Sequence, residues 1–302
     1  QLLEDLTGYT SLTNVAPRLP NMADNLCLLR KSYRFDQYSG IGYLAKAINS
    51  GRANSKQVMA LCHHYDDLQH YPNTDPGKKE LAALILEGYR PYLQNLSTIT
   101  ADNRDLAGQL LKQFNQFKIL CATREGDWGV KSLNTLCETV LEKAGLLITE
   151  QRDNDPQHAY VYWYVGRPVM ITQNNYHLGL YNGDIGLCLL DESLQLRVYF
   201  QMADASVADF QPSRLPNHET VFAMTVHKSQ GSEFEHTVLA LPENHVSVVS
   251  RELIYTAITR AKKQLTLFAD LSLMASAIRH KTKRFSCLVE RLKSARDTGR
   301  KS

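Results

Sequence analysis

Short apolar runs alternate with amphipathic stretches along most of the chain. Segments with apolar residues at helical spacing predict helices at 40–50, 55–66, 78–97, 103–116 and 129–145. Short, mostly apolar runs of five to seven residues predict strands at 26–30, 117–122, 168–173, 221–226, 236–242 and 265–270. Strands that alternate with helices predict an α/β fold, in which helices cover both faces of a parallel sheet.

One region departs from this alternation. Residues 166–217 contain several strand-like runs separated by turn residues and no segment of helical length. Asp191, Glu192 and Ser193 fall between two such runs, which is typical of a hairpin turn. We therefore expect a small β-barrel inserted into the α/β domain. The domain order would be 1–165 for the first α/β segment, 166–217 for the insert and 218–302 for the second α/β segment.

The composition is that of an ordinary globular protein, with 43% hydrophobic and 22% charged residues. The sequence contains no run of about 18 apolar residues, so we predict no membrane span. It also shows no basic-then-apolar leader, so we predict no secretion signal. The six cysteines form no C-x-x-C pair, which is typical of reduced thiols in a cytoplasmic protein. Because the first residue is Gln1, we expect a processed chain or a piece of a longer one.

Positive charge is concentrated at the C-terminal end. Residues 251–302 hold 13 Lys and Arg against 4 Asp and Glu, a net charge of +9, whereas the whole chain carries only +3. Such a concentration favours a polyanionic partner. A solvated helix face is the alternative, and we prefer it for the last twelve residues, "RLKSARDTGRKS".

Three motif-like stretches do not support the sites that they resemble. "GDWGVKS" (126–132) has Val130 where a phosphate loop requires lysine directly after its last glycine. "LCLLDES" (187–193) resembles the end of a magnesium-binding strand, but the hairpin turn explains its acidic residues. His63 and His64, beside Cys62, are better explained as a helix surface than as zinc ligands. We therefore predict no metal site in these residues.

The stretch "FAMTVHKSQGSEF" (222–234) carries the strongest chemical signal. It places an apolar strand directly before a run of hydrogen-bond donors, and α/β sheets bind ligands at the carboxyl ends of their strands. Gly231 lets a ligand approach the backbone closely, and Glu233 can accept a hydrogen bond from a sugar hydroxyl. Phosphate is the expected ligand, either of a nucleotide or of a nucleic acid. The donors are Thr225, His227, Lys228, Ser229 and Gln230.

A second stretch, "SRELIYTAITRAKKQL" (250–265), predicts a helix that begins at Ser250. Leu253, Ala257, Ile258 and Ala261 would form its apolar stripe. Thr256 and Arg260 share another face at i, i+4 spacing, and a long cation near the helix end can project. Taken singly, Arg260 could be a surface ion pair and His227 an ordinary loop histidine.

In order and spacing, these segments resemble superfamily 1 helicases of the 5′→3′ branch. "AMTVHKSQGSEF" (223–234) and "RELIYTAITRAKK" (251–263) resemble motifs V and VI, and "LCLLRKSYRF" (26–35) resembles motif IV. "ATREGDWGVKSLN" (122–134) and "GRPVMITQNNYHLGLYNGDIG" (166–186) are similar to the segments between these motifs. Within this branch, the sequence agreement of these motif segments favours the type of helicase that is a subunit of a three-subunit recombination complex.

The resemblance implies a RecA-like second motor domain with an SH3-like barrel inserted. ATP and Mg²⁺ are the implied cofactors, but motifs I to III, which hold the phosphate loop and the magnesium aspartate, are not found in these 302 residues. Single-stranded and double-stranded DNA and two further subunits are the implied partners. The implied roles are catalytic charge stabilisation for Arg34 and Arg260, nucleotide binding for Lys228, Gln230, Gly231 and Glu233, and single-strand binding for Thr123, Arg124, Thr225 and His227.

Two other interpretations stay open at the level of sequence. One is a standalone or relaxase-fused helicase of the same branch, and the other is a non-catalytic DNA-binding or assembly module. The arginine pair Arg34 and Arg260 argues against the second, because a scaffold has no need of arginines at both motif positions. No carboxylate cluster of the metal-nuclease kind is evident, so a nuclease activity would belong to the complex.

Overall fold

The computed structural model describes residues 38–100, 105–148 and 163–279. The chain divides into two units, Gln1–Tyr33 and Arg34–Ser302, and all described residues belong to the second. The predicted strand at 26–30, the candidate catalytic residue Arg34 and the basic residues beyond Arg279 lie outside the described residues.

The described elements alternate between helix and strand except in the middle of the chain. The helices are α1 Gly40–Asn49, α2 Ser55–His64, α3 Asp75–Gln94, α4 Asp105–Phe114, α5 Val130–Lys143, α6 Arg251–Ile258 and α7 Leu271–Arg279. The strands are β1 Leu68–Tyr71, β2 Phe117–Cys121, β3 Pro168–Ile171, β4 Ile185–Leu190, β5 Leu196–Gln201, β6 Val207–Phe210, β7 His218–Thr220, β8 Ala223–Thr225, β9 Phe234–Ala240 and β10 Ala261–Phe268.

Five strands form a parallel sheet in the order β1-β10-β9-β2-β8. Every residue of β2 is buried, as parallel strands covered on both faces require. Two groups of helices pack around the sheet: α1, α2, α6 and α7 contact one another, and α3 contacts α4 and α5. The predicted α/β architecture with a parallel sheet is confirmed.

The middle of the chain forms a second, antiparallel sheet in the order β6-β5-β4-β3-β7. Only a single 3₁₀ turn, Pro212–Arg214, interrupts its strands. The turn between β4 and β5 has the expected form, because the Asp191 carboxylate accepts hydrogen bonds from the backbone N–H groups of Ser193 and Gln195. The antiparallel sheet ends at Thr220, three residues beyond the predicted boundary, because β7 pairs with β3.

The predicted helix over 250–265 is wrong in its second half. Ser250 caps α6 as expected, its hydroxyl accepting a hydrogen bond from the Leu253 N–H. The helix ends at Ile258, however, and Ala261 begins β10 rather than extending the apolar stripe. The chain changes direction because the Arg260 carbonyl accepts a hydrogen bond from the Phe234 N–H, which starts the pairing of β10 with β9.

Aromatic side chains hold α3 and α4 against the parallel sheet. The Tyr89 ring packs within 6.1 Å, centroid to centroid, of the rings of Tyr92, Phe114, Phe117 and Phe222. Its hydroxyl donates a hydrogen bond to the Phe222 carbonyl, so the buried phenol is satisfied. None of the described helices is long and apolar enough to cross a membrane.

Candidate nucleic-acid and nucleotide interface

The carboxyl ends of three neighbouring strands meet at one edge of the parallel sheet. Cys121 at the end of β2 lies in register with Thr225 at the end of β8 and with Ala240 at the end of β9. The loops that follow these strands therefore emerge side by side. This is the edge at which open α/β sheets bind their ligands.

A groove of about 790 Å³ lies at this edge, which we call the carboxyl-edge groove. One wall is the loop of residues 122–128 that connects β2 to α5. The other wall is formed by the segment that comes after β9 in sequence, which includes Pro242, Asn244, Val246 and Val248. Thr225, at the end of β8, also lines it. The groove thus brings together three of the four residues predicted to contact a nucleic-acid strand, namely Thr123, Arg124 and Thr225.

Arg124 does not face the groove as an unpaired cation. Its guanidinium donates two hydrogen bonds to the Glu219 carboxylate, at 2.6 Å from Nη2 and 3.4 Å from Nη1. The Arg124 side chain is half exposed, so the ion pair lies at the surface. The Thr123 hydroxyl donates to the Glu125 carbonyl and helps to shape the same loop. A ligand phosphate would therefore compete with a carboxylate of the chain itself.

The other charged groups on this wall are also paired. Lys131 lies 2.6 Å from the Glu125 carboxylate, and Lys78 lies 3.2 Å from that of Asp127. Trp128 is buried, and its indole N–H donates to the Glu243 carboxylate across the groove at 3.2 Å. The groove accordingly combines apolar and hydroxyl surface with balanced charge at its rim.

The strand-end loop, residues 226–233, follows β8 as a series of tight turns. Backbone hydrogen bonds run from Lys228 to Thr225 and from Ser229 to Val226, and the buried Ser229 hydroxyl donates to the Val226 carbonyl at 2.7 Å. Gly231 has φ +90°, and the position of a Cβ there has no neighbour within 4 Å. The Gly231 backbone therefore faces open space and adopts a conformation that favours glycine.

The polar side chains of this loop point in several directions. His227 and Gln230 are exposed, and His227 is not among the residues that line the groove. The Lys228 ammonium donates to the side chain of Asn182, in the connection between β3 and β4, at 2.6 Å. The Glu233 carboxylate lies 3.6 Å from Lys262 on β10. The structure thus separates the candidate nucleotide residues from the groove.

Arg260 does not project from the end of α6, contrary to the prediction. Its side chain is buried, with 5% of the residue exposed. Nε donates to the Thr256 carbonyl at 3.1 Å, and Nη1 donates to the Ser232 carbonyl at 3.0 Å. The guanidinium therefore connects the end of α6 to the strand-end loop.

The start of α5 shows why "GDWGVKS" is not a phosphate loop. The backbone N–H groups of Val130 and Lys131 donate to the carbonyls of Thr123 and Arg124. These amides at the helix N-terminus are therefore already satisfied by the chain. Among the described residues, no group of three or more His, Cys, Asp or Glu side chains could hold a metal ion.

Several residues of the site were not predicted from sequence. Glu219, Glu243 and Val246 come from separate segments, and only the packing of the two sheets and of the loop after β9 brings them to the groove. Trp128 carried a signal, because an indole inside a polar glycine-containing turn needs both a packing surface and an acceptor. It stacks on Phe268, with 5.4 Å between ring centroids.

The match to a family model defines the class of protein. Residues 220–268 match the UvrD-like helicase C-terminal domain, and this range includes the strand-end loop, α6 and Arg260. The chain therefore contains a helicase C-terminal domain of the RecA-like α/β type.

The chain belongs to the RecD family and corresponds to the C-terminal part of these subunits. It is 38% identical over 278 residues to the RecBCD enzyme subunit RecD of Haemophilus influenzae, covering 88% of this chain and 40% of that subunit. It is 29% identical over 180 residues to the ATP-dependent RecD2 DNA helicase of Deinococcus radiodurans, covering 59% of this chain and 23% of that protein.

Among solved structures, a Pif1 helicase from Bacteroides in complex with ADP-AlF3 and ssDNA aligns with a TM-score of 0.43 and 14% identity. The alignment covers 89% of this chain and 56% of that one. The chain spans about two fifths of the length of the RecD subunit that it matches in Haemophilus influenzae.

Proposed function

We propose that the chain is the C-terminal motor domain of an ATP-dependent 5′→3′ DNA helicase subunit. It would act in double-strand break repair and recombination as the alpha subunit of a RecBCD-type exodeoxyribonuclease V. The observation that carries this proposal is the carboxyl-edge groove, which lies at the ligand-binding edge of the sheet and joins the segment that matches the helicase model.

Single-stranded DNA is the ligand that we propose for the groove. A motor must bind every sequence, so it relies on backbone contacts and on stacking rather than on base-specific hydrogen bonds. The hydroxyls of Thr123 and Thr225, the Arg124 guanidinium and the apolar side chain of Val246 suit such contacts. His227 would extend the track beyond the groove along the strand-end loop.

ATP would bind at the opposite end of the strand-end loop, where Gly231 leaves the backbone accessible. Gln230, Lys228 and Glu233 would contact the nucleotide, and Arg260 would stabilise charge on the transferred phosphoryl group. Arg34 is proposed for the same role. The phosphate loop and the Mg²⁺ ligands would come from residues outside this sequence, so the chain alone is expected not to hydrolyse ATP.

RecB and RecC are the partner subunits that we propose. The similarity to RecD covers 88% of the chain, whereas the similarity to the RecD2 helicase covers 59%. This difference favours a subunit of a complex over a standalone or relaxase-type helicase. Copurification of tagged full-length subunit with RecB and RecC tests the assignment, and a stable lone subunit with helicase activity would favour the alternative.

One observation favours a non-catalytic DNA-binding or assembly module. The Arg260 guanidinium is buried and bound by backbone carbonyls, as a purely structural arginine would be. In that case the arginine would maintain the fold and would not contact a nucleotide. Kinetic tests of Arg260 variants separate the two interpretations.

Binding of labelled oligo-dT and of a mixed-sequence oligonucleotide to the 302-residue chain tests the groove. We expect weak binding with no preference between them, and a log–log salt slope of about −0.7 for each phosphate contacted. Thr225→Val should weaken binding about two- to tenfold, because it removes one hydroxyl from the groove at constant volume. Thr135→Val, on the exposed face of α5, is the matched control and should bind like wild type.

Marked sequence preference, or equal effects of Thr225→Val and Thr135→Val, would contradict the assignment of the groove. DNA-stimulated ATPase activity of the purified chain would contradict the expectation that the nucleotide site needs residues outside it.

A further inference from the structure

The antiparallel sheet supplies a carboxylate to the carboxyl-edge groove. Glu219 lies on β7, 95 residues from Arg124 in sequence, and both of its oxygens accept hydrogen bonds from the Arg124 guanidinium. The Glu219 side chain is 22% exposed and that of Arg124 is 50% exposed. A carboxylate bound by two parallel N–H groups occupies the same fork of the guanidinium that a phosphate uses.

The position of Glu219 is fixed by its surroundings. It pairs with Met170 in the ladder between β7 and β3. The next residue, Thr220, accepts hydrogen bonds through its hydroxyl from Nε and Nη2 of the buried Arg167, at 3.1 and 3.0 Å. The carboxylate is therefore presented by a rigid strand and not by a loop that happens to touch Arg124.

A second polar contact joins the connection between β3 and β4 to the strand-end loop. Asn182, in the connection between β3 and β4, accepts a hydrogen bond from the Lys228 ammonium at 2.6 Å. The antiparallel sheet thus engages a basic side chain from each of two neighbouring loops at the carboxyl edge. The position of the antiparallel sheet therefore determines whether Arg124 and Lys228 are available to a ligand.

We propose that Glu219 occupies the phosphate-binding face of Arg124, so that the antiparallel sheet lowers the affinity of the groove and a DNA phosphate must displace this carboxylate. This inference rests on the proposed function, because it takes the groove as the single-strand site. It assigns the inserted sheet a role within the motor itself, which is to hold the groove in a weakly binding state.

The Arg124–Glu219 ion pair is weak enough for a DNA phosphate to replace the carboxylate. An ion pair this exposed contributes little to stability and is screened by salt, so a phosphate can replace the carboxylate without unfolding the sheet. Removing the negative charge of Glu219 would then leave Arg124 available before DNA arrives. Binding should become tighter, and more dependent on salt, because one more protein–phosphate contact is made.

The test measures binding of labelled oligo-dT to the 302-residue chain across a salt titration. Glu219→Gln should bind about two- to fivefold tighter at low salt, which corresponds to the loss of one exposed ion pair. The log–log salt slope should become more negative, by up to about 0.7. Glu192→Gln, which removes an exposed carboxylate from the β4–β5 turn of the same sheet, is the control and should bind like wild type.

A double variant tests whether the gain in DNA affinity depends on Arg124. In an Arg124→Gln background, Glu219→Gln should give no further gain. Thermal melting of each variant shows that the fold is retained.

The inference is overturned if Glu219→Gln binds no tighter than wild type, if Glu192→Gln gains as much, or if the gain persists without Arg124. If wild type still binds oligo-dT as expected, any of these results contradicts the inference alone and not the proposed function. If no variant binds DNA, the proposed function and the inference both fail.

Discussion

At the scale of single residues, Lys118 is the clearest departure from ordinary packing. It lies in the middle of β2, is fully buried, and its ammonium has no hydrogen-bond partner among the described residues. Nζ lies 3.5 Å from the centroid of the Phe114 ring. Burial lowers the pKa of Lys118 well below its usual value, because the charged form is poorly solvated there.

Lys118→Met should therefore stabilise the chain at neutral pH, by about 1–3 kcal/mol, because it replaces a buried, unsatisfied amine with an apolar side chain of similar length. The unfolded chain binds a proton at Lys118 that the folded chain does not bind. The stability of wild type should therefore rise with pH between the lowered folded pKa and the usual lysine pKa. Urea unfolding at several pH values measures both effects.

The difference in stability between Lys118→Met and wild type should shrink as pH rises. A variant that is less stable than wild type at every pH would mean that the amine contributes a favourable interaction in the core, such as a strong contact with the Phe114 ring.

At the scale of elements, α3 packs so closely on β2 that a glycine is required at their contact. A Cβ built on Gly88 would lie 2.3 Å from Cγ of Phe117. The ring of Phe117 is itself held edge-on against Tyr89, with 4.9 Å between centroids. The ring therefore has no simple way to move aside.

Gly88→Ala should destabilise the chain by about 1–3 kcal/mol through overpacking, although alanine is the better helix former. Gly108→Ala on α4 is the matched comparison, because its Cβ would meet only Cγ2 of Val207 at 3.3 Å. We expect the Gly108 variant to change stability by less than about 1 kcal/mol. Chemical denaturation measures the free energy of unfolding of both variants. Equal losses of stability would contradict the close packing of α3 on β2.

Element types could be predicted where a segment carries its own periodicity. β2 and α5 are clear in the sequence because a mostly apolar run and a helical stripe need no tertiary information. β1 and α7 were not predicted. β1 is a four-residue strand with one buried residue, and its pairing with β10 stabilises it as a strand. Local pattern cannot reveal such a pairing.

The candidate site could be predicted only in part. Thr123, Arg124 and Thr225 follow apolar strands, so their place at the carboxyl edge follows from strand direction alone. The burial of Arg260 could not be predicted, because its acceptors include the Ser232 carbonyl, 28 residues away in sequence. Glu219 was missed because its role depends on how the antiparallel sheet packs beside the groove.

At the scale of the whole molecule, one loop connects the two proposed ligand sites. The strand-end loop begins beside Thr225 in the groove and reaches Ser232, whose carbonyl binds Arg260. A change at the nucleotide end of this loop could thereby alter contacts at the groove. We propose that Arg260 acts on the nucleotide and not on DNA.

The most direct measurement is DNA-dependent ATPase activity of the Arg260→Lys variant of the full-length subunit, assembled with the proposed partner subunits RecB and RecC. The same assembly prepared without this subunit gives the background rate, which is subtracted. Arginine residues that stabilise phosphoryl transfer contribute about 10³–10⁵ in rate, and lysine lacks their planar fork. We predict loss of most of this activity with single-strand binding near that of wild type. ATPase within a few-fold of wild type, with DNA binding lost, would contradict the account.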